Sequence, residues 1–235
     1  MNLILLRPDD MVTAERARLS GRRLQHVRAV HRAQAGDVLA VGMLGGRIGT
    51  GTVMQIDDSV LEMDVHLEHD PPASLPLTVI LALPRPKVLR RVIFSLTVLG
   101  VKRIILVNAA RVEKSYWQSP FLEPDVINHQ LALGLEQARD TQLPQVLLKS
   151  RFKPFVQDEL PALAQGTLAL VAHPGARESC PRQVSGPVTL AIGPEGGFIP
   201  FEIDLLQTAG LSPVHMGERI LNVETAIPAL ISGIF

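Results

Sequence analysis

LAIGPEGGFIP, at residues 190–200, joins an apolar run of strand length to a glycine-rich turn, with Pro200 where a helix would begin. Glycine at positions 193, 196 and 197 permits positive φ angles and lets backbone groups approach a ligand without an intervening Cβ. Turns of this kind are common between strands and helices, so the segment acquires a specific meaning only beside other features.

Two other apolar runs end in comparable loops. LVAHPG, at residues 170–175, stops at a His-Pro pair, and VHMGERILNVETA, at residues 214–226, leads into a final apolar helix. Ligands of open α/β sheets gather outside the carboxyl ends of the strands. We therefore predict that the three loops line one pocket.

The chain from residue 77 onward has the pattern of an α/β domain. Continuous apolar runs of strand length recur at residues 77–83, 103–107, 168–172 and 188–192. Runs that are apolar on both faces are typical of buried parallel strands. Helices are indicated by the apolar spacing between Val88 and Leu99 and by a segment at residues 124–139 that begins with proline.

The first 70 residues differ in character. Residues 37–67 alternate between apolar and polar side chains, with Gly45-Gly46 as a hairpin turn, which predicts a small β-barrel. Residues 21–32 predict a short basic helix or turn beside it. A proline-rich segment at residues 71–76 follows, so we predict domains at 1–70 and 77–235 joined by this linker.

Composition restricts the class of protein. Of 235 residues, 46% are apolar, which supports a packed core, and the single cysteine excludes a disulfide framework and a cysteine-rich zinc cluster. No apolar run has the length of a signal peptide or membrane span, so we expect a cytoplasmic protein with no membrane partner.

The charge is unevenly distributed although the net charge is zero. Residues 1–36 carry seven arginines against three acids, and residues 85–114 carry eight basic residues against one acid. Two separate basic segments favour a polyanionic partner, and ordinary solvated surfaces are the alternative explanation.

Together these residues resemble the RsmE family of small-subunit ribosomal RNA uridine N3-methyltransferases, within the SPOUT superfamily. The resemblance spans essentially the whole chain, and the combination of motifs is more specific than any one of them. The matching segments are GPEGG (193–197), GERIL (217–221), ETA (224–226), His-Pro (173–174), LGV (99–101) and EQAR (136–139).

The resemblance implies an α/β fold in which a PUA-like, RNA-binding β-barrel precedes a SPOUT methyltransferase domain with a C-terminal deep trefoil knot. It also implies a homodimer, S-adenosylmethionine as the cofactor and ribosomal RNA, within a small ribosomal subunit, as the partner. Connections in proteins are normally unknotted, so the pattern of residues could not have predicted the knot.

The resemblance places the cofactor in the three loops and the RNA on the basic segments. Predicted cofactor-binding residues are Leu170, Ala172, His173, Pro174, Ile192, Gly193, Pro194, Glu195, Gly196, Gly197, Met216, Gly217, Ile220, Leu221, Asn222, Thr225 and Ala226. Predicted RNA-binding residues are Arg22, Arg23, Arg28, Arg32, Arg85, Lys87, Arg90, Arg91 and Lys114. These cations would position RNA through its phosphates without reading its sequence.

Two residues are predicted to be catalytic. Methylation at uridine N3 requires loss of an imide proton, and the Arg219 guanidinium would stabilise the developing uracil anion or contact an RNA phosphate. Glu224 would orient Arg219 or a polar edge of the pocket. The alternative for Glu224 is a carboxylate favoured by the helix dipole at a helix start.

For other polar and aromatic residues, the sequence is consistent with either a functional or a structural role. His173 is a pocket residue or a structural strand-end histidine. His26 and His31 are five residues apart and do not share a face of an α-helix, so no metal site is predicted. Tyr116 and Trp117 are suited to stacking on an unpaired base, or form an ordinary packing pair.

The chain departs from the family pattern at several positions. Phe94, Ser95 and Val98 stand where the family has a Gln-Lys pair and a glutamate, Asn222 replaces an arginine, and Ile199 replaces a serine helix cap. The alternatives are therefore a knotted RNA-binding or ribosome-assembly protein without activity, and a SPOUT enzyme acting on another RNA position. A dinucleotide enzyme is disfavoured because no strand-linked Gly-x-Gly-x-x-Gly is present.

Overall fold

The computed structural model describes residues 2–235, which form two compact units. The first unit comprises the residues up to Ala73 together with Leu131–Leu143, and the second comprises Ser74–Gln130 and Pro144–Phe235. The pattern of residues predicts that residues 131–143 belong to the later domain, whereas in the structure they belong to the first unit. They group with the first unit because Ala132 and Leu135 share a buried cluster with residues 3 and 5.

A six-stranded sheet forms the first unit. Its strands are β1 (Ile4–Leu6), β2 (Met11–Thr13), β3 (Arg16–Leu19), β4 (Val38–Met43), β5 (Ile48–Ile56) and β6 (Leu61–His69). They lie in the order β1-β4-β5-β6-β3-β2, in which β1 and β4 are parallel and all other neighbours are antiparallel. Gly45, with a φ of 73°, lies in the predicted hairpin between β4 and β5, which is confirmed.

Helix α1 (Gly21–His26) holds two arginines that bind carboxylates of their own unit. Arg22 donates to both carboxylate oxygens of the buried Glu136, at 3.0 and 2.8 Å. Arg23 donates to both oxygens of Asp10, each at 2.6 Å. These guanidinium groups, predicted as phosphate contacts, are therefore already paired, and they serve to hold the first unit together.

A π-helical segment, Val27–His31, follows α1 and brings two histidines together. The rings of His26 and His31 pack edge to face with centroids 5.5 Å apart. The prediction that these residues do not share a face was wrong because the wider π-helical turn changes the angular spacing of the side chains. Burial lowers the pKa of His26, which favours its neutral form.

A seven-stranded parallel sheet forms the second unit. Its strands are β7 (Leu77–Ala82), β8 (Arg103–Val107), β9 (Gln145–Lys149), β10 (Leu168–Ala172), β11 (Glu178–Ser179), β12 (Val188–Ile192) and β13 (Ser212–His215). They lie in the order β11-β13-β10-β12-β7-β8-β9. The four strands predicted from apolar runs are confirmed. Central strand β12 is buried along its whole length, as parallel strands covered on both faces should be.

Helices connect and cover these strands. In helix α2 (Pro86–Val98), the buried residues Leu89, Val92, Ile93 and Leu96 follow the predicted helical spacing. The helices are α2 (Pro86–Val98), α3 (Pro124–Ala138), α4 (Phe152–Pro154), α5 (Leu160–Ala164), α6 (Pro200–Thr208) and α7 (Val223–Ile234). None of the helices within residues 2–235 combines the length and apolarity needed to cross a bilayer.

Candidate active site

Three adjacent strands bring the three sequence-predicted loops together. Strand β10 lies between β12 and β13 and is parallel to both. Because the carboxyl ends of neighbouring parallel strands meet at one edge of a sheet, the loops after residues 172, 192 and 215 are neighbours. Residues from all three loops line a single cavity of about 370 Å³.

The glycine-rich turn after β12 is tightly closed. The Gly197 N–H donates to the Pro194 carbonyl at 2.8 Å, and Gly197 has a φ of 73°. A Cβ on Gly193 would stand 3.1 Å from the Phe198 nitrogen and 3.3 Å from the Phe198 ring. Glycine at 193 therefore lets the buried Phe198 fold back against the end of the strand.

Most of the predicted cofactor-binding residues line this cavity, as does Arg219. They are Ala172, His173, Pro174, Ile192, Gly193, Pro194, Glu195, Gly196, Gly197, Met216, Gly217, Ile220, Leu221 and Ala226. Six further residues that are not among the predicted ones also line the cavity: Arg111, Phe198, Val214, His215, Val223 and Leu230. Of these, Val223 and Leu230 carry a detectable signal, since they continue the apolar face of the final helix.

Three predicted residues lie elsewhere. Leu170 is 2% exposed within β10, so its side chain belongs to the core. Asn222 is the cap of α7, and its side-chain oxygen accepts a hydrogen bond from the Thr225 N–H at 2.9 Å. Asn222 and Thr225 therefore start the final helix, where an asparagine is among the best caps.

Arg111 reaches the glycine-rich turn from the segment after β8. Its Nη1 donates to the Gly196 carbonyl, and a Cβ on Gly196 would meet the Arg111 side chain at 2.9 Å. Glu195 accepts a hydrogen bond from the Arg85 backbone N–H at 3.2 Å. The turn is thus fixed by groups from two other segments of the second unit, neither of which is predictable from the turn itself.

Buried Glu202 replaces the missing serine cap of α6. One carboxylate oxygen accepts the Ile199 N–H at 3.0 Å and the other accepts the Ala110 N–H at 2.7 Å. Glu202 is 3% exposed. The carboxylate therefore caps the helix that follows the glycine-rich turn and ties it to the residue before Arg111.

Glu224 and Arg91 form an ion pair between the first turn of α7 and helix α2. Within residues 2–235, Arg219 has no ion-pair partner, so Glu224 does not orient it through a direct contact. Arg91 and Glu224 are 65% and 35% exposed, a setting in which ion pairs contribute little to stability.

A second cavity, of about 520 Å³, lies beside α2 and is basic. Its lining residues are Lys87, Arg90, Arg91, Phe94, Ser95 and Gln130. The Arg90 guanidinium lies 5.3 Å from the centroid of the Phe121 ring, a cation–π contact. Three of the predicted RNA contacts and two of the positions that depart from the family pattern therefore share one surface.

The remaining predicted residues have partly defined environments. The indole N–H of Trp117 donates to Asn108 at 3.0 Å, and the Tyr116 hydroxyl donates to Glu113 at 2.9 Å. Burial, and then the bond to Glu113, raise the pKa of Tyr116. Arg28 pairs with Asp58 in the first unit, and Arg85 and Lys114 are exposed.

Metal ligation has no structural counterpart in the described residues. Among residues 2–235, no group of three or more histidine, cysteine, aspartate or glutamate side chains has an arrangement that could hold a metal ion. His173 packs its ring against Gly175, where a Cβ would stand 3.0 Å from Nε2. His173 thus helps to shape the loop after β10.

A parallel sheet whose adjacent strand ends enclose a glycine-lined cavity defines the second unit as a ligand-binding α/β domain. The chain belongs to the RNA methyltransferase domain family, which matches residues 71–234. A relative from Treponema pallidum, named ribosomal RNA small subunit methyltransferase E, is 29% identical over 233 residues, with 96% of this chain and 87% of the relative covered. The resemblance found in the sequence motifs is therefore confirmed.

Solved structures share the fold. Ribosomal RNA small subunit methyltransferase E from Neisseria gonorrhoeae, bound to S-adenosyl methionine, has a TM-score of 0.78 at 20% identity, with 99% of this chain and 95% of that chain covered. A protein from Legionella pneumophila, solved in complex with the same cofactor, has a TM-score of 0.73 at 23% identity, with 98% of this chain and 94% of that chain covered.

Proposed function

We propose that this protein transfers a methyl group from S-adenosylmethionine to N3 of a specific uridine in small-subunit ribosomal RNA. The observation that carries the proposal is the joining of three neighbouring strand ends into one glycine-lined cavity, in a domain of the RNA methyltransferase family. The names of the relatives support the RNA class, and the cofactor bound in the Neisseria structure supports the choice of methyl donor.

The cavity suits a nucleoside-containing cofactor. Its volume of about 370 Å³ is within the usual range for small-molecule sites, roughly 300–1,000 Å³. Ile192, Val223 and Leu230 supply buried apolar surface for a flat base. Gly193, Gly196 and Gly197 line the cavity without side chains, so the main chain of the turn forms this part of its wall.

The chemistry follows from the position of Arg219 at this cavity. S-adenosylmethionine, when bound, would supply an electrophilic methyl group for the uracil nitrogen. The imide proton of N3 passes to solvent water at the exposed rim of the cavity, and methyl transfer to N3 would leave S-adenosylhomocysteine. The negative charge that develops spreads to the flanking uracil oxygens, where the unpaired Arg219 guanidinium stabilises it. Ile192, Val223 and Leu230 form an apolar wall that excludes water from the buried side of the cavity.

We extend the proposal to the architecture and assembly. The first unit is a PUA-like RNA-binding domain, the second is a SPOUT domain with a C-terminal trefoil knot, and the protein acts in the cytoplasm as a homodimer. The mostly antiparallel sheet of the first unit and the strand order β13-β10-β12-β7 of the second support this assignment. The mass in solution, measured by light scattering, tests the dimer.

Gly193→Ala is expected to weaken binding of S-adenosylmethionine about tenfold, because the new Cβ crowds Phe198 and the turn has little room to adjust. Gly186→Ala is the matched control, since a Cβ there meets nothing within 4 Å. Calorimetric titration of both variants measures the effect. Equal affinities would contradict the placement of the cofactor at this turn.

Lys87→Ala is expected to weaken RNA binding and to reduce the magnitude of the slope of log affinity against log salt concentration by about 0.7. Lys87 lines the basic cavity and is exposed, so its loss removes one phosphate contact without disturbing the core. Lys153→Ala removes the same charge from α4 and serves as the control. An unchanged slope in Lys87→Ala would argue against RNA on this surface.

A calorimetric titration of the wild-type protein with S-adenosylmethionine tests the proposed function. We expect binding, followed by transfer of a labelled methyl group to small-subunit ribosomal RNA. Absence of binding would favour the alternative of a knotted assembly protein, which is suggested by the departures at Phe94, Ser95 and Asn222. Methyl transfer to another RNA or another position would favour a related SPOUT specificity.

A further inference from the structure

His215 makes an unusual hydrogen bond at the edge of the cavity. It is the last residue of β13, and its Nδ1 accepts a hydrogen bond from the Gly217 backbone N–H at 2.9 Å. The His215 backbone is fixed on the other side, where its carbonyl accepts the Cys180 N–H at 2.8 Å. The imidazole therefore joins a rigid strand to the loop that follows it.

The loop after β13, residues 216–221 (the rim loop), makes few other stabilising interactions. Outside the strand and helix ladders, the bond to His215 is the one hydrogen bond that residues 2–235 provide to positions 217–221. Ile220 is 83% exposed and Met216 is 38% exposed, so apolar burial contributes little at these positions. Gly217 has a φ of 107°, which only glycine adopts readily, so the loop leaves the strand through a permissive residue.

The His215 imidazole is also oriented by a contact at Nε2, the ring nitrogen that does not bond to Gly217. Nδ1 accepts only when it is unprotonated, so the neutral ring carries its proton on Nε2. Nε2 lies 3.4 Å from the Ser179 hydroxyl oxygen on β11, which is parallel to β13. Ser179 is thus placed to accept from Nε2 and to favour the tautomer that leaves Nδ1 free for Gly217.

We infer that His215 is a positioning residue, which holds the rim loop and its Arg219 over the cofactor cavity through the bond from Nδ1 to Gly217. The inference rests on the proposed function for the ligand, S-adenosylmethionine. It assigns to His215 no contact with the reacting atoms. The bond acts on the free protein as well, because it organises the loop before any ligand binds.

Asparagine and leucine at position 215 provide a matched test. Both have similar size, and an asparagine Oδ1 occupies nearly the place of the imidazole Nδ1, whereas leucine offers no acceptor. In the free protein, we expect His215→Leu to speed hydrogen exchange of the Gly217 amide, whose N–H is the group bonded to His215, about three- to tenfold, and His215→Asn to stay within about twofold of wild type. Thermal unfolding of both variants checks that the fold is intact.

The same two variants are then titrated with S-adenosylmethionine. His215→Leu is expected to raise the dissociation constant about three- to tenfold, with rescue by His215→Asn, while the rate of methyl transfer at saturating cofactor changes less. Equal hydrogen exchange in the two variants would overturn the inference, as would faster exchange without a change in affinity. Failure of the wild-type protein to bind the cofactor would contradict the proposed function and the inferred role in cofactor binding, whereas hydrogen exchange would still report whether His215 holds the loop.

Discussion

Replacing Arg219 by alanine is expected to lower the rate of methyl transfer about 100- to 1,000-fold, the usual cost of removing a group that stabilises charge in the transition state. Arg219 lines the cofactor cavity, and within residues 2–235 its guanidinium has no ion-pair partner, so it is available to the uracil. Single-turnover transfer of labelled methyl groups to small-subunit ribosomal RNA measures the effect.

Two control variants separate catalysis from disturbance of the loop. Glu218→Ala changes a neighbouring charge that does not line the cavity, and it is expected to retain activity. Arg219→Lys keeps the charge but loses the planar guanidinium fork, so it should fall between wild type and Arg219→Ala. All three variants should bind S-adenosylmethionine normally. Turnover retained in Arg219→Ala would show that this residue does not stabilise the transition state.

Replacing Glu202 by alanine is expected to reduce the free energy of unfolding of the second unit by about 2–4 kcal/mol, because hydrogen bonds to a buried carboxylate are strong and two backbone N–H groups lose their acceptor. Those groups belong to Ala110 and Ile199. Trp117 is the single tryptophan and lies in the second unit, so its fluorescence during urea unfolding follows this unit selectively.

Two further variants, Glu202→Gln and Asp204→Ala, provide the comparison for this prediction. Glu202→Gln keeps one acceptor oxygen but turns an NH₂ group toward the second N–H, so we expect an intermediate loss of about 1–2 kcal/mol. Asp204→Ala removes an exposed carboxylate from the same helix and should change the stability by less than about 0.5 kcal/mol. Similar effects of Glu202→Ala and Asp204→Ala would contradict a structural role for the buried carboxylate.

The sheet of the second unit could be predicted because its strands carry their signal locally. Strands β7, β8, β10 and β12 are covered on both faces, and each therefore appears in the sequence as a continuous apolar run. Exposed and short strands such as β11 give no comparable signal, since two residues have no periodicity. The order of the strands is a property of long-range pairing and could not be obtained from the runs.

Of the residues that line the cavity, the sequence could predict mainly those at the ends of strands and in the loops that directly follow them. Loops after parallel strands lie at one edge of the sheet, so His173, Gly193 and Gly217 could be grouped from the sequence. Arg111 could not, because it follows β8, which lies two strands away from β12, and only its long side chain reaches the turn. His215 was missed because its part depends on the conformation of the next two residues.

Partners of charged side chains were the least predictable feature. Arg22, Arg23 and Arg91 were grouped with phosphate contacts because they lie in basic segments, yet each has a carboxylate partner far away in the sequence or on another element. Charge counts describe a segment, whereas pairing depends on the tertiary fold. Lys87 and Arg90 remain predicted RNA contacts beside the second cavity.

Mass spectrometry of small-subunit ribosomal RNA from cells that lack this protein tests whether it methylates uridine N3 in that RNA. We expect a single N3-methyluridine to disappear, and we expect the wild-type protein to restore it whereas Arg219→Ala does not. Small-subunit ribosomal RNA with unchanged modifications in those cells would show that this protein is not the enzyme that methylates it.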